Sequence, residues 1–212
     1  MKTNVYVDGF NLYYGCLKGR PGKWLDLERL CAQLLPQDNI HRIRYFTALV
    51  QQRPGDPDPD VAKRQQVYLR ALRTLPSVSI HLGRFSTKPT RMRLEVPPPP
   101  PAGATVSVWK TEEKGSDVNL ATYMLVDAFR GDAETFVVVS NDSDLVEPLR
   151  ILKHEEGKRV GLLNPQRTAS WALAQCQPDF THPIRAGVVM ASQLPATLVD
   201  ARGHKITKPA GW

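Results

Sequence analysis

Thr135-Phe136-Val137-Val138-Val139-Ser140-Asn141-Asp142-Ser143-Asp144 is the stretch that decides the fold. Its first five residues are almost all β-branched or aromatic and none is charged. That is the pattern of a strand buried on both faces, as in a parallel sheet. The run stops abruptly in polar residues that include two carboxylates. Downstream, residues 145–154 carry Leu145, Leu149 and Leu152 in helical phase, 159–163 read as a strand, and 169–175 read as the last regular helix of the core. Upstream, residues 117–129 place Leu120, Ala121, Met124 and Ala128 on one helical face. Farther back, residues 4–7 form a first strand followed at once by Asp8-Gly9, and 25–35 a helix stopped by Pro36. Residues 40–50 follow as a strand, 53–59 as a loop, 61–75 as a helix and 78–82 as a third strand.

Strands that alternate with helices build βαβ units. The expected fold is therefore α/β, a Rossmann-like three-layer sandwich around a mainly parallel central sheet. Residues 86–105 break the alternation with several basic side chains and the run Pro97 to Pro101. Consecutive prolines favour a stiff extended segment, so this reads as a surface insertion acting as a spacer. The chain divides into a domain over 1–185 and a tail over 186–212, irregular from about Ala191.

With 212 residues, 42% hydrophobic and 23% charged, the chain can bury one sizeable core. No apolar run approaches the roughly 20 residues of a membrane helix. The start lacks the features of a secretory signal, so the expected compartment is the cytoplasm. Cys16, Cys31 and Cys176 are widely spaced and read as small apolar residues in a reducing environment. A net charge of +7 and a pI near 9.5 favour a polyanionic partner. The basic residues cluster, with Lys63, Arg64, Arg70 and Arg73 on one helical segment and Arg84, Lys88, Arg91 and Arg93 in the loop-like region. A solvated surface explains both clusters equally well. Nothing in the sequence speaks to oligomeric state.

In open parallel sheets, sites form beyond the carboxyl ends of the strands, where strand order reverses. Asp8 directly follows the first strand; Asp142 and Asp144 directly follow the central one. If the two strands are neighbours, these carboxylates meet. Like charges packed together raise one another's pKa, and a hard divalent cation such as Mg²⁺ or Mn²⁺ removes that penalty. Asp117, in the first turn of a helix that Ser116 can cap, faces the same place if that helix packs beside the central strand. Each residue also has a structural role open to it: Asp144 as a helix cap with Glu147, Asp142 and Asp8 as turn residues, Asp117 as a first-turn acid.

Three motifs carry a family resemblance: Val7-Asp8-Gly9-Phe10-Asn11-Leu12-Tyr13, Lys110 to Ala121 with its Gly115-Ser116-Asp117, and Ser140-Asn141-Asp142-Ser143-Asp144-Leu145. In order and spacing they resemble the NYN domain of the PIN-like nucleases, over about residues 3–180; the stretch to Trp212 also resembles the tail of bacterial members. The proline run departs from the pattern and leaves the shape of the substrate groove open. The resemblance implies a Rossmann-like sheet, an acidic cluster holding Mg²⁺ or Mn²⁺, and ribonuclease activity. It implies Asp8, Asp117, Asp142 and Asp144 as catalytic, the first three as metal ligands, and Asn11, Ser140 and Asn141 as supporting polar residues. Lys114, Lys63 and Arg64 are candidate phosphate contacts. A bound metal would activate water and neutralise phosphoryl charge. RNA is the expected partner and no membrane is involved. The alternatives are a non-catalytic RNA- or nucleotide-binding module on the same fold, a deoxyribonuclease, and a phosphatase-like hydrolase using Asp8, which Phe10 disfavours by standing where a second aspartate is usual.

Overall fold

The computed structural model describes residues 1–51, 58–96 and 103–212. Strand β1 (Lys2–Asp8) runs into the short helix α1 (Gly9–Leu12) and a π-helical turn over Tyr13–Leu17. Helix α2 (Leu27–Leu34), strand β2 (Asn39–Ala48), helix α3 (Val61–Leu72), strand β3 (Val78–Arg93), strand β4 (Thr105–Lys114) and helix α4 (Ser116–Phe129) follow. Then come β5 (Thr135–Val139), a 3-10 turn over Ser143–Leu145, α5 (Val146–Arg150) with a π-helical turn over Ile151–Glu155, β6 (Arg159–Asn164), α6 (Trp171–Gln175), β7 (Phe180–Pro183) and α7 (Ala186–Ala191). A small hairpin of β8 (Thr197–Val199) and β9 (Lys205–Thr207) closes the list of elements.

Seven strands form one sheet in the order β4-β3-β2-β1-β5-β6-β7, parallel except for the β3–β4 pair. From β1 the chain winds outward to β2 and β3, then returns to the other side of β1 with β5 and winds outward again. The reversal of order therefore falls between β1 and β5. Alternation sends Val5, Val7, Val137 and Val139 into one core with Leu30 and Leu69, and Tyr6, Phe136 and Val138 into a second with Leu120, Met124 and Leu149. Two cores, one on each face of the sheet, make the three-layer α/β architecture expected from the sequence.

A buried polar network anchors α4 to the sheet. The Arg44 guanidinium donates two hydrogen bonds, of 2.7 and 2.8 Å, to the Asp127 carboxylate, and the Tyr6 hydroxyl donates a third at 2.8 Å. Arg44 also stacks on the Tyr123 ring, 4.8 Å from its centroid. These contacts fix the rotation of α4 and hence the direction of its first turn.

The structure corrects four readings. Residues 86–105 are largely not loop: β3 and β4 form a long antiparallel arm, in register from Arg84↔Lys114 to Arg93↔Thr105. The arm has no core on either face, so its sequence has no apolar alternation to read. Pro89 is tolerated because β3 pairs with β2 only as far as Gly83, leaving an edge beyond it. The run Pro97 to Pro101 lies outside the described residues, as does most of the loop expected at 53–59. The helix at 169–175 is not the last, since α7 follows, and the tail, although mostly turn and coil, carries the β8–β9 hairpin and packs on the body. Val189, Leu194 and Ile206 join the first core, and Trp212 packs on it. Finally, Ser116 is the first residue of α4 and not its cap. The Glu113 carboxylate takes that role, accepting from the Ser116 amide at 3.2 Å and hydroxyl at 2.6 Å.

Candidate metal centre

Asp8 is the last residue of β1 and caps α1, accepting a hydrogen bond from the Asn11 amide at 2.9 Å. Its other oxygen accepts from the Ser140 hydroxyl at 3.0 Å. Ser140 sits at the end of β5, beside β1, so pairing of the two strands brings together residues 132 positions apart. The Ser140 hydroxyl oxygen also accepts from the Asp142 amide at 3.1 Å. One hydroxyl thereby orients the Asp8 carboxylate and the backbone of the Asp142 loop. Asn11 ties the two loops together, its side-chain oxygen accepting from the Asn141 amide at 3.1 Å.

Asp117 arrives from the third direction. Gly115 turns the chain with φ of +99°, a left-handed value that glycine adopts without cost, and α4 begins next to it. Close approach at Gly83 makes room for this corner: a Cβ there would lie 2.2 Å from Glu113 Oε1 and 2.8 Å from the Lys114 carbonyl oxygen. Asp117, one residue into α4, then faces Asp8 and Asp142. One oxygen from each of Asp8, Asp117 and Asp142 lies within 4.8 Å of the others.

The electrostatics follow from this crowding. Burial pushes the Asp8 carboxyl up, opposed by the hydrogen bonds from Asn11 and Ser140. Asp117 is pushed up to about 6, first by burial and then by the negative charges of Asp8, Asp142, Glu113 and Asp144. Among the described residues no salt bridge reaches Asp8, Asp117 or Asp142. The donor set is all oxygen, which suits a hard divalent ion, and a divalent charge removes the repulsion.

Asp144 is separate from this trio. It is exposed at the rim, near enough to raise Asp117 but outside the converging set. It is also not the helix cap: Asp142 caps the 3-10 turn, accepting from the Asp144 amide at 3.0 Å. Asn141 supports the site from behind, its side chain donating to the Thr168 carbonyl at 3.0 Å and accepting from the Ser170 amide at 2.7 Å. The candidate phosphate contacts do not enter the cleft. Lys114 pairs with Glu112 at 3.2 Å and Lys63 with Asp60 at 3.0 Å. Arg64 pairs with Asp58 on the wall of a neighbouring cavity.

The acidic cleft encloses about 410 Å³. Phe10, Tyr14, Phe85, Glu113 and Gln166 also line it, and the sequence reading assigned none of them a role. Phe85 and Glu113 face each other across the arm, a pairing that only the register of β3 with β4 reveals. Phe10 and Phe85 meet edge to face with centroids 5.7 Å apart. Among the described residues no helix is long and apolar enough to cross a membrane, and the three cysteines are buried and unpaired.

The family model of the NYN domain matches residues 2–184. The 6-hydroxy-3-succinoylpyridine 3-monooxygenase HspA of Pseudomonas putida (strain DSM 28022 / S16) is 31% identical over 239 aligned residues, taking in 100% of this chain and 75% of that protein. The crystal structure of VPA0982, a protein of unknown function from Vibrio parahaemolyticus RIMD 2210633, matches with a TM-score of 0.56 and 19% identity. That match covers 87% of this chain and 93% of the other, and it is a likeness of fold.

Proposed function

Since the chain belongs to the NYN domain family, which is generally one of nucleases, we propose that it is a divalent-metal-dependent ribonuclease working in the cytoplasm. The observation that carries this reading is the convergence of Asp8, Asp117 and Asp142 at the point where strand order reverses. These three carboxylates would hold Mg²⁺ or Mn²⁺. Such an ion supplies Lewis acidity toward a phosphoryl oxygen and lowers the pKa of water. Ser140 and Asn11 hold the Asp8 carboxylate in one orientation, and Ser140 does the same for the Asp142 loop. Asp144, left outside the ligand set at the rim, is the general base that takes a proton from the attacking water. Phe10 and Phe85 form an apolar wall that limits water around the reacting phosphate. A net charge of +7 draws the polyanion to a cleft that is itself acidic.

The Pseudomonas relative bears the name of a monooxygenase acting on a hydroxypyridine. One observation favours a second reading along that line, in which this chain acts on a small aromatic substrate: an aromatic cavity abuts the acidic cleft. The test uses wild type and Asp8→Asn on labelled single-stranded RNA with Mg²⁺, Mn²⁺ or chelator. A parallel arm supplies 6-hydroxy-3-succinoylpyridine, dioxygen and an electron donor. Metal-dependent cleavage lost in the variant supports the ribonuclease. Tight RNA binding without cleavage moves the reading to a binding module. Equal cleavage by both proteins removes Asp8 from the site. Conversion of the pyridine alone replaces the first reading with the second.

A further inference from the structure

Next to the acidic cleft lies a second cavity of about 260 Å³ that the ribonuclease chemistry does not use. Phe10 and Tyr14 line both spaces and form the partition between them. Asp8 faces the cleft and Gly9, the next residue, faces the cavity. The two spaces thus share a wall of two side chains. The cavity walls are aromatic, from Tyr13, Tyr45, Tyr68 and Trp212. Lys18, Lys23 and Arg64 also line it. Lys18 lies 4.7 Å from the centroid of the exposed Tyr14 ring, and Arg64 is held by Asp58. Among the described residues neither Lys18 nor Lys23 has a carboxylate partner.

We propose that this cavity binds a single planar heteroaromatic ring carrying an anionic group, with the ring among the tyrosines and the anion toward Lys18 and Lys23. The cavity's mostly apolar wall and few polar groups are the usual make-up of a small-molecule site. Aromatic side chains prefer flat partners, on which they stack or pack edge-on. The lysines select for negative charge on the partner, because among the described residues no carboxylate pairs with them. The shared partition sets the ring beside the acidic centre. The ring is then either the base of a nucleotide flanking the phosphate to be cut or that of a free heteroaromatic acid. The inference deepens the reading of the cleft and rests on it for what the ring is doing there, but binding in the cavity requires no metal.

The test is calorimetric titration in chelator, where the acidic cleft cannot turn over. Adenosine 5′-monophosphate and nicotinate carry a ring and an anion; ribose 5-phosphate and butyrate carry an anion only. Wild type should bind the first pair and not the second. Val61→Trp, which fills the cavity from the start of α3, should weaken binding about tenfold or more, the scale of one lost stacking contact. The surface double variant Lys18→Gln with Lys23→Gln should also weaken it, and it carries the test if Val61→Trp melts early. Tighter binding of the nucleotide identifies a strand as the source, and tighter binding of nicotinate a free acid. Binding that is equal with and without a ring, or unchanged in both variants, overturns the proposal. Loss of nuclease activity with these results intact refutes the ribonuclease reading alone.

Discussion

Replacing Asp117 by Asn should stabilise the metal-free protein at alkaline pH and destabilise the metal-loaded one. Asp117 is held at about 6 by burial and by four neighbouring acids, above the 3.8 expected of a free aspartate. A raised carboxyl pKa means that the folded state binds its proton more tightly than the unfolded chain does. Stability from this group is full below about pH 3.8 and is lost as pH rises through 6. Taken at face value, the shift corresponds to about 3 kcal/mol at about 1.36 kcal/mol per tenfold change. Asp117 is only about half buried, so solvent screening reduces this to about 1 kcal/mol. For a chain of this size, 1 kcal/mol moves the melting temperature by roughly 2–4 °C. Thermal melts of wild type and Asp117→Asn, followed by circular dichroism in chelator from pH 5 to 8, read the difference directly. The variant should melt higher at pH 8, and the gap should narrow to about half at pH 5. Saturating Mg²⁺ should reverse the order. A ligand at a hundred times its Kd adds about 2.7 kcal/mol to wild type, whereas the variant lacks one of the three ligands. A properly folded variant that melts no higher than wild type at pH 8 in chelator, or a gap that ignores pH, refutes the account of Asp117 as a strained member of the cluster.

Two further predictions probe the support of the site. Ser140→Ala removes the hydroxyl shared by Asp8 and Asp142; metal affinity measured by calorimetry should fall about 10- to 100-fold, as for other groups that orient ligands from behind, and unchanged affinity would show that the hydroxyl orients nothing. Arg44→Ala leaves Asp127 as a buried charge without its guanidinium, so urea unfolding should show a loss of about 3–5 kcal/mol, while a loss under about 1 kcal/mol would mean that water or Tyr6 compensates for the pair.

The candidate trio was legible because each aspartate follows a recognisable local signal: the end of a strand for Asp8 and Asp142, the start of a helix for Asp117. Assigning their roles needed more than those signals. Asp142 and Asp144 are two residues apart and look interchangeable as sequence. The family resemblance set Asp142 apart as a ligand, and the backbone of the loop gives the physical reason: Asp142 turns inward and caps the 3-10 turn while Asp144 points to the rim. Glu113 as the cap of α4 was equally hidden, because a side chain reaching forward from a strand leaves no pattern in a helix. Phe85 escaped notice because both faces of the β3–β4 arm meet solvent, which removes the alternation that marks a half-buried strand.

By itself the sequence determined the α/β class, the buried central strand and the chemistry of the acidic residues, since hydrophobic period and side-chain type are properties of neighbouring positions. The tertiary structure decided which groups meet. Ser140 reaches Asp8 across 132 residues and Arg44 reaches Asp127 across 83. The aromatic cavity draws its walls from α1, β2, α3 and Trp212. Such contacts depend on strand order and register, which are set by the packing of the whole sheet and carry no mark in any one segment.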